Sequence, residues 1–234
     1  MDTYITAFAD AIRLLSTADV TVWQVIILSL MVSGSAVGVA ALIGIPLGYA
    51  LGISRHSGRG VIMLLVNTAM GFPPVVVGLF VYMALSRSGP LGMLALLYTP
   101  GGMVIAQVIL AAPLVIGVSA AAVSSVPRDL RIQIRALGAS RLQESLAVLK
   151  EARGGVMASV VAGFGAIISE VGAVSIVGGG IEGSTNVMTT AIIANVSRGE
   201  NSKAMAWAFV LIGIALMVNV VLTTVQSTST RHGG

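Results

Sequence analysis

The chain has no cysteine, only two histidines, and just 9% charged and 5% aromatic residues among 234. Without cysteine there is no disulfide scaffold, no thiolate metal centre and no thiol redox chemistry. Soluble domains carry about 25% charged side chains, so this chain lacks the polar material that a water-facing globule needs. Its apolar content argues equally against disorder. His56 lies in a short loop and His232 in the tail, and neither has carboxylate or thiol neighbours in sequence to complete a metal site. No serine sits in a nucleophile-elbow context, and no pair of acids is placed for proton transfer. A membrane enzyme is therefore disfavoured.

What the chain does have is apolar length. Hydrophobic residues make up 56% of it, concentrated in five runs at about residues 22–53, 61–85, 103–126, 156–177 and 204–225. A helix needs about 20 apolar residues to cross a bilayer. Lipid offers the backbone no hydrogen-bond partners, and these runs are too long and too poor in alternation for barrel strands. The expected fold class is all-α membrane, a polytopic bundle of five transmembrane helices. The first run is longer than one crossing requires, so Pro46 is expected to kink it or its start to lie in the interface.

The net charge of +4 invites a nucleic-acid reading, but the placement of the basic residues fits membrane orientation instead. With the N-terminus outside, the inner segments hold Arg55, Arg59, Arg128, Arg131, Arg135, Arg141, Lys150, Arg153 and Arg231, nine in all, against Arg13, Arg87, Arg198 and Lys203 outside. The reverse topology inverts nine to four, so the positive-inside rule selects the N-outside arrangement. Three parts follow: an external or interfacial segment at 1–20, a membrane domain at 21–226 with a cytoplasmic loop at 127–153, and a cytoplasmic tail at 227–234. In the first, Asp2, Asp10 and Asp19 against Arg13 argue against a signal peptide. Tyr4, Ile5, Phe8 and Ile12 fit a short helix on the membrane surface, with an unstructured tail as the alternative.

Within the spans, Gly34, Gly38, Gly44, Gly48 and Gly52 in the first run are read chiefly as close-packing positions inside the molecule, with a subunit interface as the lesser alternative. Gly71-Phe72-Pro73-Pro74 must kink or break the second span, because two prolines remove two backbone donors. Broken backbone at membrane depth survives where protein or a water-filled cavity satisfies it, so this cluster, with Asn67, Thr68 and Gln107 nearby in the bundle, is a candidate pathway. Pro113 in the third span invites the same reading.

Glu170 is the one acid well inside a span. Such a carboxylate faces protein or water, either as a gate or as a hydrogen-bonded packing residue beside Ser169 and Gly172. Ser33 and Thr189 complete the neutral polar set expected along a pathway. The stretch from Gly178 to Thr185 mimics a phosphate-binding loop, but Ser184 stands where the lysine belongs. It is read as a flexible turn, followed at 186–195 by a helix too short to span.

The loop at 127–153 reads as a helix over 128–137, a sharp turn at Gly138, and a second helix after Ala139-Ser140. In that second helix Leu142, Leu146 and Leu149 form one apolar stripe, with Arg141, Gln143, Glu144 and Lys150 elsewhere on its surface. An apolar stripe after a glycine turn fits a docking helix better than a solvated loop.

Arg135-Ala136-Leu137-Gly138-Ala139-Ser140, followed by Val148-Leu149-Lys150-Glu151, resembles the coupling-loop motif of type I ABC importer permeases, E-A-A-x-x-x-G and then a hydrophobic-Pro pair. It departs from it at Ile132-Gln133-Ile134, which replaces E-A-A, and at Lys150, near the expected proline. The stretches Gly71–Leu79, Leu85–Gly92, Leu97–Pro100, Ile105–Gln107, Ile168–Ala173 and Val187–Ile192 resemble tungstate importer permeases and, more loosely, molybdate permeases.

The resemblance implies a MetI-like permease bundle in a prokaryotic inner membrane, paired with a second copy of itself. It also implies a cytoplasmic ABC ATPase dimer that binds ATP and magnesium, an external oxyanion-binding protein, and no cofactor or metal in this chain. Arg135, Ala136, Leu137, Gly138, Ala139 and Ser140 would then contact the ATPase, while Asn67, Thr68, Pro73, Pro74, Gln107, Ser169, Glu170 and Thr189 would line or gate the pathway. The rival classes are an ion-driven secondary transporter, disfavoured by five spans that do not halve evenly and by the single intramembrane acid, and a non-transporting membrane assembly factor.

Overall fold

The computed structural model describes residues 8–13, 16 and 20–231, with side chains to residue 224. Tyr4 and Ile5 of the expected surface helix, and His232 of the tail, lie outside the described residues. The helices are α1 (Val20–Ile53), α2 (Arg59–Met70), α3 (Pro74–Leu85), α4 (Pro100–Ser124), α5 (Arg128–Ala136), α6 (Arg141–Glu151), α7 (Arg153–Ile168), α8 (Gly172–Gly178), α9 (Met188–Ser197) and α10 (Asn201–Arg231), with a 3₁₀ turn at Gly92–Leu94. There is no strand among the described residues, so the all-α membrane fold expected from the sequence is what forms.

Helices α1, α4 and α10 are each long and apolar enough to cross a bilayer. The other two expected spans are broken. Helices α2 and α3 meet at 97° across Gly71-Phe72-Pro73, the break that two prolines impose. The run at 156–177 is divided between α7 and α8 at Ser169-Glu170-Val171. Three helices thus span unbroken, and the count reaches five only when α2 with α3, and α6 with α7, which meet at 69°, are each taken as one bent span. By contrast, Pro46 and Pro113 sit inside α1 and α4 without ending them.

Helix α4 is central, with α1 on one flank and α7 on another. Gly44, Gly48 and Gly52 of α1 fall every four residues and face Val115, Ser119 and Val123 of α4 at the same interval. A Cβ on Gly48 would stand 2.7 Å from the Ser119 Cβ and 2.9 Å from the Ile116 carbonyl oxygen, so only glycine permits this approach. The intramolecular reading of the glycine row holds for these three; Gly34 and Gly38 have nothing within 4 Å.

On the other flank the Ser119 and Ser159 hydroxyls hydrogen-bond at 2.9 Å between α4 and α7. Ala36, Val37, Ala40, Ala111, Val115, Phe164, Ile167 and Ile168 fill the core between the three helices. Residues 8–13 are helical, and there Ala11 packs with Ile26 and Val210 while Phe8 meets Phe209 edge-on at 5.8 Å.

Candidate functional site: an elbow and two broken helices

The loop at 127–153 folds into α5 and α6, joined at Leu137-Gly138-Ala139-Ser140. Gly138 has φ +82°, a left-handed conformation that costs other residues roughly 1–2 kcal/mol. Ser140 then caps α6 reciprocally: its hydroxyl accepts from the Gln143 amide at 3.3 Å, while the Gln143 side chain accepts from the Ser140 amide at 2.8 Å. The sequence places each of these elements within a residue or two.

The stripe on α6 is where structure and sequence part. Glu144 and Val148 are the buried residues of this helix, whereas Leu142 and Leu146 are exposed and Leu137 at the elbow is 87% exposed. Glu144, expected on the surface, is only 4% exposed and receives the Arg131 Nε at 3.0 Å and the Arg135 Nε at 2.7 Å. The hydrogen bond from Arg135, helped by that from Arg131, holds the Glu144 carboxyl below the usual carboxylate range against the opposing pull of burial. Arg135 is shifted upward by the same hydrogen bond.

One acid thus locks two helices into a fixed angle and turns the leucines outward. The signal for it lay in Arg131 and Arg135, one turn apart on α5, opposite a lone acid just past a glycine turn. Of the predicted elbow residues, Arg135 makes this lock, Gly138 and Ser140 make the turn and the cap, Ala136 and Leu137 lie exposed, and Ala139 is half-buried.

The second constellation lies where the breaks in the two interrupted apolar runs meet. A Cβ on Gly172 would lie 2.6 Å from a methyl group of Val75, and one on Gly78 would lie 2.6 Å from the Ala173 Cα. The start of α3, just after Pro73-Pro74, is thereby pressed against the start of α8, just after Glu170. The Glu170 carboxylate caps α8, accepting from the Ala173 amide at 3.0 Å and the Val174 amide at 3.2 Å. Gln107 on α4 donates to the Ile167 carbonyl at 3.0 Å, and Thr189 on α9 donates to the Glu170 carbonyl at 3.2 Å. Side chains from two neighbouring helices therefore satisfy the interrupted backbone, as membrane depth requires.

Pro73, Pro74, Gln107, Glu170 and Thr189 are thus brought together around the breaks. Ser169 is exposed at the same break, with its hydroxyl donating to the Gly165 carbonyl at 3.1 Å. Asn67 and Thr68 sit exposed on α2, where the Thr68 hydroxyl donates to the Leu64 carbonyl within its own helix, and take no part in the cluster. Ser33 is buried on α1. Ser29, which the sequence reading passed over, accepts from the Met188 amide at 2.9 Å and ties the start of α9 to α1.

The segment that mimics a phosphate loop is a tight turn between α8 and α9. Gly179, Gly180 and Gly183 all have positive φ, and the buried Thr185 hydroxyl donates to the Gly178 carbonyl while accepting from the Ile181 amide. Both hydrogen bonds tie the two ends of the turn together.

Residues 44–228 match the family model described as "Binding-protein-dependent transport system inner membrane component". The chain is 43% identical over 196 residues to a probable anion ABC transporter permease protein of Haloferax volcanii, covering 82% of this chain and 84% of that one. It is 39% identical over 219 residues to the tungstate uptake system permease protein TupB of Peptoclostridium acidaminophilum, covering 94% and 96%. Its fold matches a chain in an inward-facing structure of the MetNI methionine ABC transporter, with a TM-score of 0.74 at 15% identity over 91% of this chain and 99% of that one. The resemblance drawn from the elbow and the proline cluster is borne out, and the chain belongs to the family of binding-protein-dependent transport system inner membrane components: it is an ABC importer permease of the inner membrane.

Proposed function

We propose that this permease carries a tetrahedral oxyanion, tungstate foremost and molybdate second, through the membrane by alternating access driven by a separate cytoplasmic ATPase. The substrate rests on kinship: relatives 39% and 35% identical, each covering over nine-tenths of this chain, are named for tungstate uptake, and more distant ones for molybdate or molybdenum. Selectivity belongs mainly to an external binding protein. The polar side chains gathered at the two breaks are neutral apart from Glu170, whose carboxylate is engaged by the α8 amides, so an anion passes without being trapped by an arginine.

The observation that carries the mechanism is the elbow. In the N-outside orientation favoured by the lysine and arginine count, α5 and α6 lie in the cytoplasm. They expose Leu137, Leu142 and Leu146, an apolar face left uncovered by the described residues and suited to a groove on the ATPase. The Glu144 lock makes the elbow rigid enough to transmit a push, and Arg135, Ala136, Leu137, Gly138, Ala139 and Ser140 form its working end.

ATP and magnesium belong to the ATPase, so energy arrives mechanically. Closure of the ATPase dimer shifts the balance between inward- and outward-open states through its differential affinity for the two. The breaks at Pro73-Pro74 and Glu170, pressed together, supply a hinge near the pathway. Helix α2 has no buried residue and exposes Leu64 and Leu65, a face that supports pairing with a second copy.

Co-purification of the chain with its ATPase, followed by stimulation of ATP hydrolysis by a binding protein loaded in turn with tungstate, molybdate and sulfate, tests this reading. Stimulation by tungstate above the others is expected; no association with an ATPase overturns it.

A further inference from the structure

We propose that the cytoplasmic face of this chain carries a site for a tetrahedral oxyanion group, filled by the phosphate of an anionic phospholipid from the adjoining leaflet. Where α1 ends, Ile53 and Arg55 face α5 across a cavity of about 300 Å³ whose remaining walls are Arg128, Arg131, Ile132 and Arg135. The residues on α5 fall at i, i+3, i+4 and i+7, so one helix face delivers three guanidiniums and the end of α1 a fourth. Glu144 offsets one of them, and four arginines less one glutamate leave three positive charges. Asp129, beside Arg128 in sequence, is exposed and makes no ion pair among the described residues.

Glu144 engages only the Nε groups of Arg131 and Arg135. The Nη donors of both, and the guanidiniums of Arg55 and Arg128, have no hydrogen-bond or ion-pair partner among the described residues. Like charges gathered in this way repel until an anion sits among them, and the guanidinium fork matches the oxygens of a tetrahedral oxyanion two at a time.

Position selects the source. The cavity lies at the C-terminal end of a helix long and apolar enough to span a bilayer, where such a helix leaves the hydrocarbon for the headgroups, and Ile53 and Ile132 give it an apolar shoulder beside the charges. That combination suits an amphiphile better than a bare ion or an acidic protein segment, and basic pockets at the cytoplasmic ends of membrane helices hold phospholipid headgroups. The proposal borrows only the side of the membrane from the transport reading.

The test is native mass spectrometry of the full-length protein released from nanodiscs of phosphatidylcholine doped with phosphatidylglycerol, compared with an Arg55→Gln/Arg128→Gln variant. That variant leaves the Glu144 lock intact, and Arg87→Gln on the outer face serves as control. The expected result is selective retention of phosphatidylglycerol by the wild type and the control, reduced at least tenfold in the double variant. Titration of sodium phosphate and sodium tungstate into phosphatidylcholine-only discs separates the sources. Saturable binding of either ion that depends on the two arginines, without lipid retention, overturns the lipid assignment and leaves an oxyanion site filled from solution. Retention that is the same in wild type and double variant overturns the site. Displacement of the lipid by stoichiometric ATPase subunit assigns the pocket to protein contact and also overturns the proposal. Because the readout is lipid retention rather than uptake, failure here leaves the transport reading standing.

Discussion

The Arg135 Nε lies 2.7 Å from the Glu144 Oε2, so the angle between α5 and α6 is set by an ion pair spanning the glycine elbow. Because the folded-state pKa of Glu144 is depressed, the pairing stabilises the elbow at pH values above the ordinary glutamate range and is lost as pH falls through the depressed value. Amide protection across 128–151, taken relative to the intrinsic base-catalysed exchange rate at each pH, should therefore stay high near neutrality and fall on acidification. Glu144→Gln should exchange several-fold faster at neutral pH and lose that acid response. Identical exchange in the two proteins would contradict the lock.

Gly48→Ala should loosen the membrane core. Its Cβ meets the Ile116 carbonyl oxygen at 2.9 Å, and backbone yields less than a flexible side chain does, so α1 and α4 must separate at a cost of about 1–3 kcal/mol. Gly34→Ala meets nothing within 4 Å and should be neutral, or stabilising by about 0.5–1 kcal/mol from lower chain entropy. Thermal unfolding of the two variants in detergent distinguishes them; equal loss from both would contradict the close approach at Gly48.

At the elbow, Gly138→Val should abolish import while leaving the chain in the membrane, since a β-branched residue at φ +82° is strained. Asn visits this conformation more readily, so Gly138→Asn should keep much of the activity. Deletion of residues 135–140 should uncouple the ATPase altogether. Uptake measured beside membrane content of the chain checks all three, and wild-type uptake in the deletion removes the coupling assignment.

At the breaks, Glu170→Ala strips the cap from α8, a loss of roughly 0.5–2 kcal/mol, and Gln107→Leu removes the bond to the Ile167 carbonyl, worth about 0.5–1.5 kcal/mol. If the paired breaks move during transport, cysteines introduced by Ser169→Cys and Phe72→Cys should differ in labelling between nucleotide-free and nucleotide-trapped complexes. Both variants at Glu170 and Gln107 should blur that difference. Labelling that is the same in both states argues against movement at this place.

Much of this was legible in advance because lipid narrows the choices. Long apolar runs must be helices, Pro73-Pro74 must interrupt one, and Gly138 before Ala139-Ser140 must turn and restart a helix. Local rules of spacing and capping carry that information. What escaped were facts that exist only between elements. The periodicity of Leu142 and Leu146 marks an apolar face without saying whether it is turned in or out, and Glu144 took the inner position because Arg131 and Arg135 await it there. Glu170 was open between gate and packing residue until the amides of Ala173 and Val174 appeared at its carboxylate. Pro46 and Pro113 show the converse: a proline inside a well-packed membrane helix need not end it, since neighbouring helices support the backbone.

The central claim is that this chain has no motor of its own and is moved through its elbow by an ATPase. Reconstitution into proteoliposomes, with ATP enclosed and loaded binding protein outside, measures it directly. The account predicts tungstate accumulation only when the ATPase is present, and none when Leu137 and Leu142 are changed to aspartate. Accumulation by the chain alone under an imposed ion gradient, without any ATPase, would contradict it.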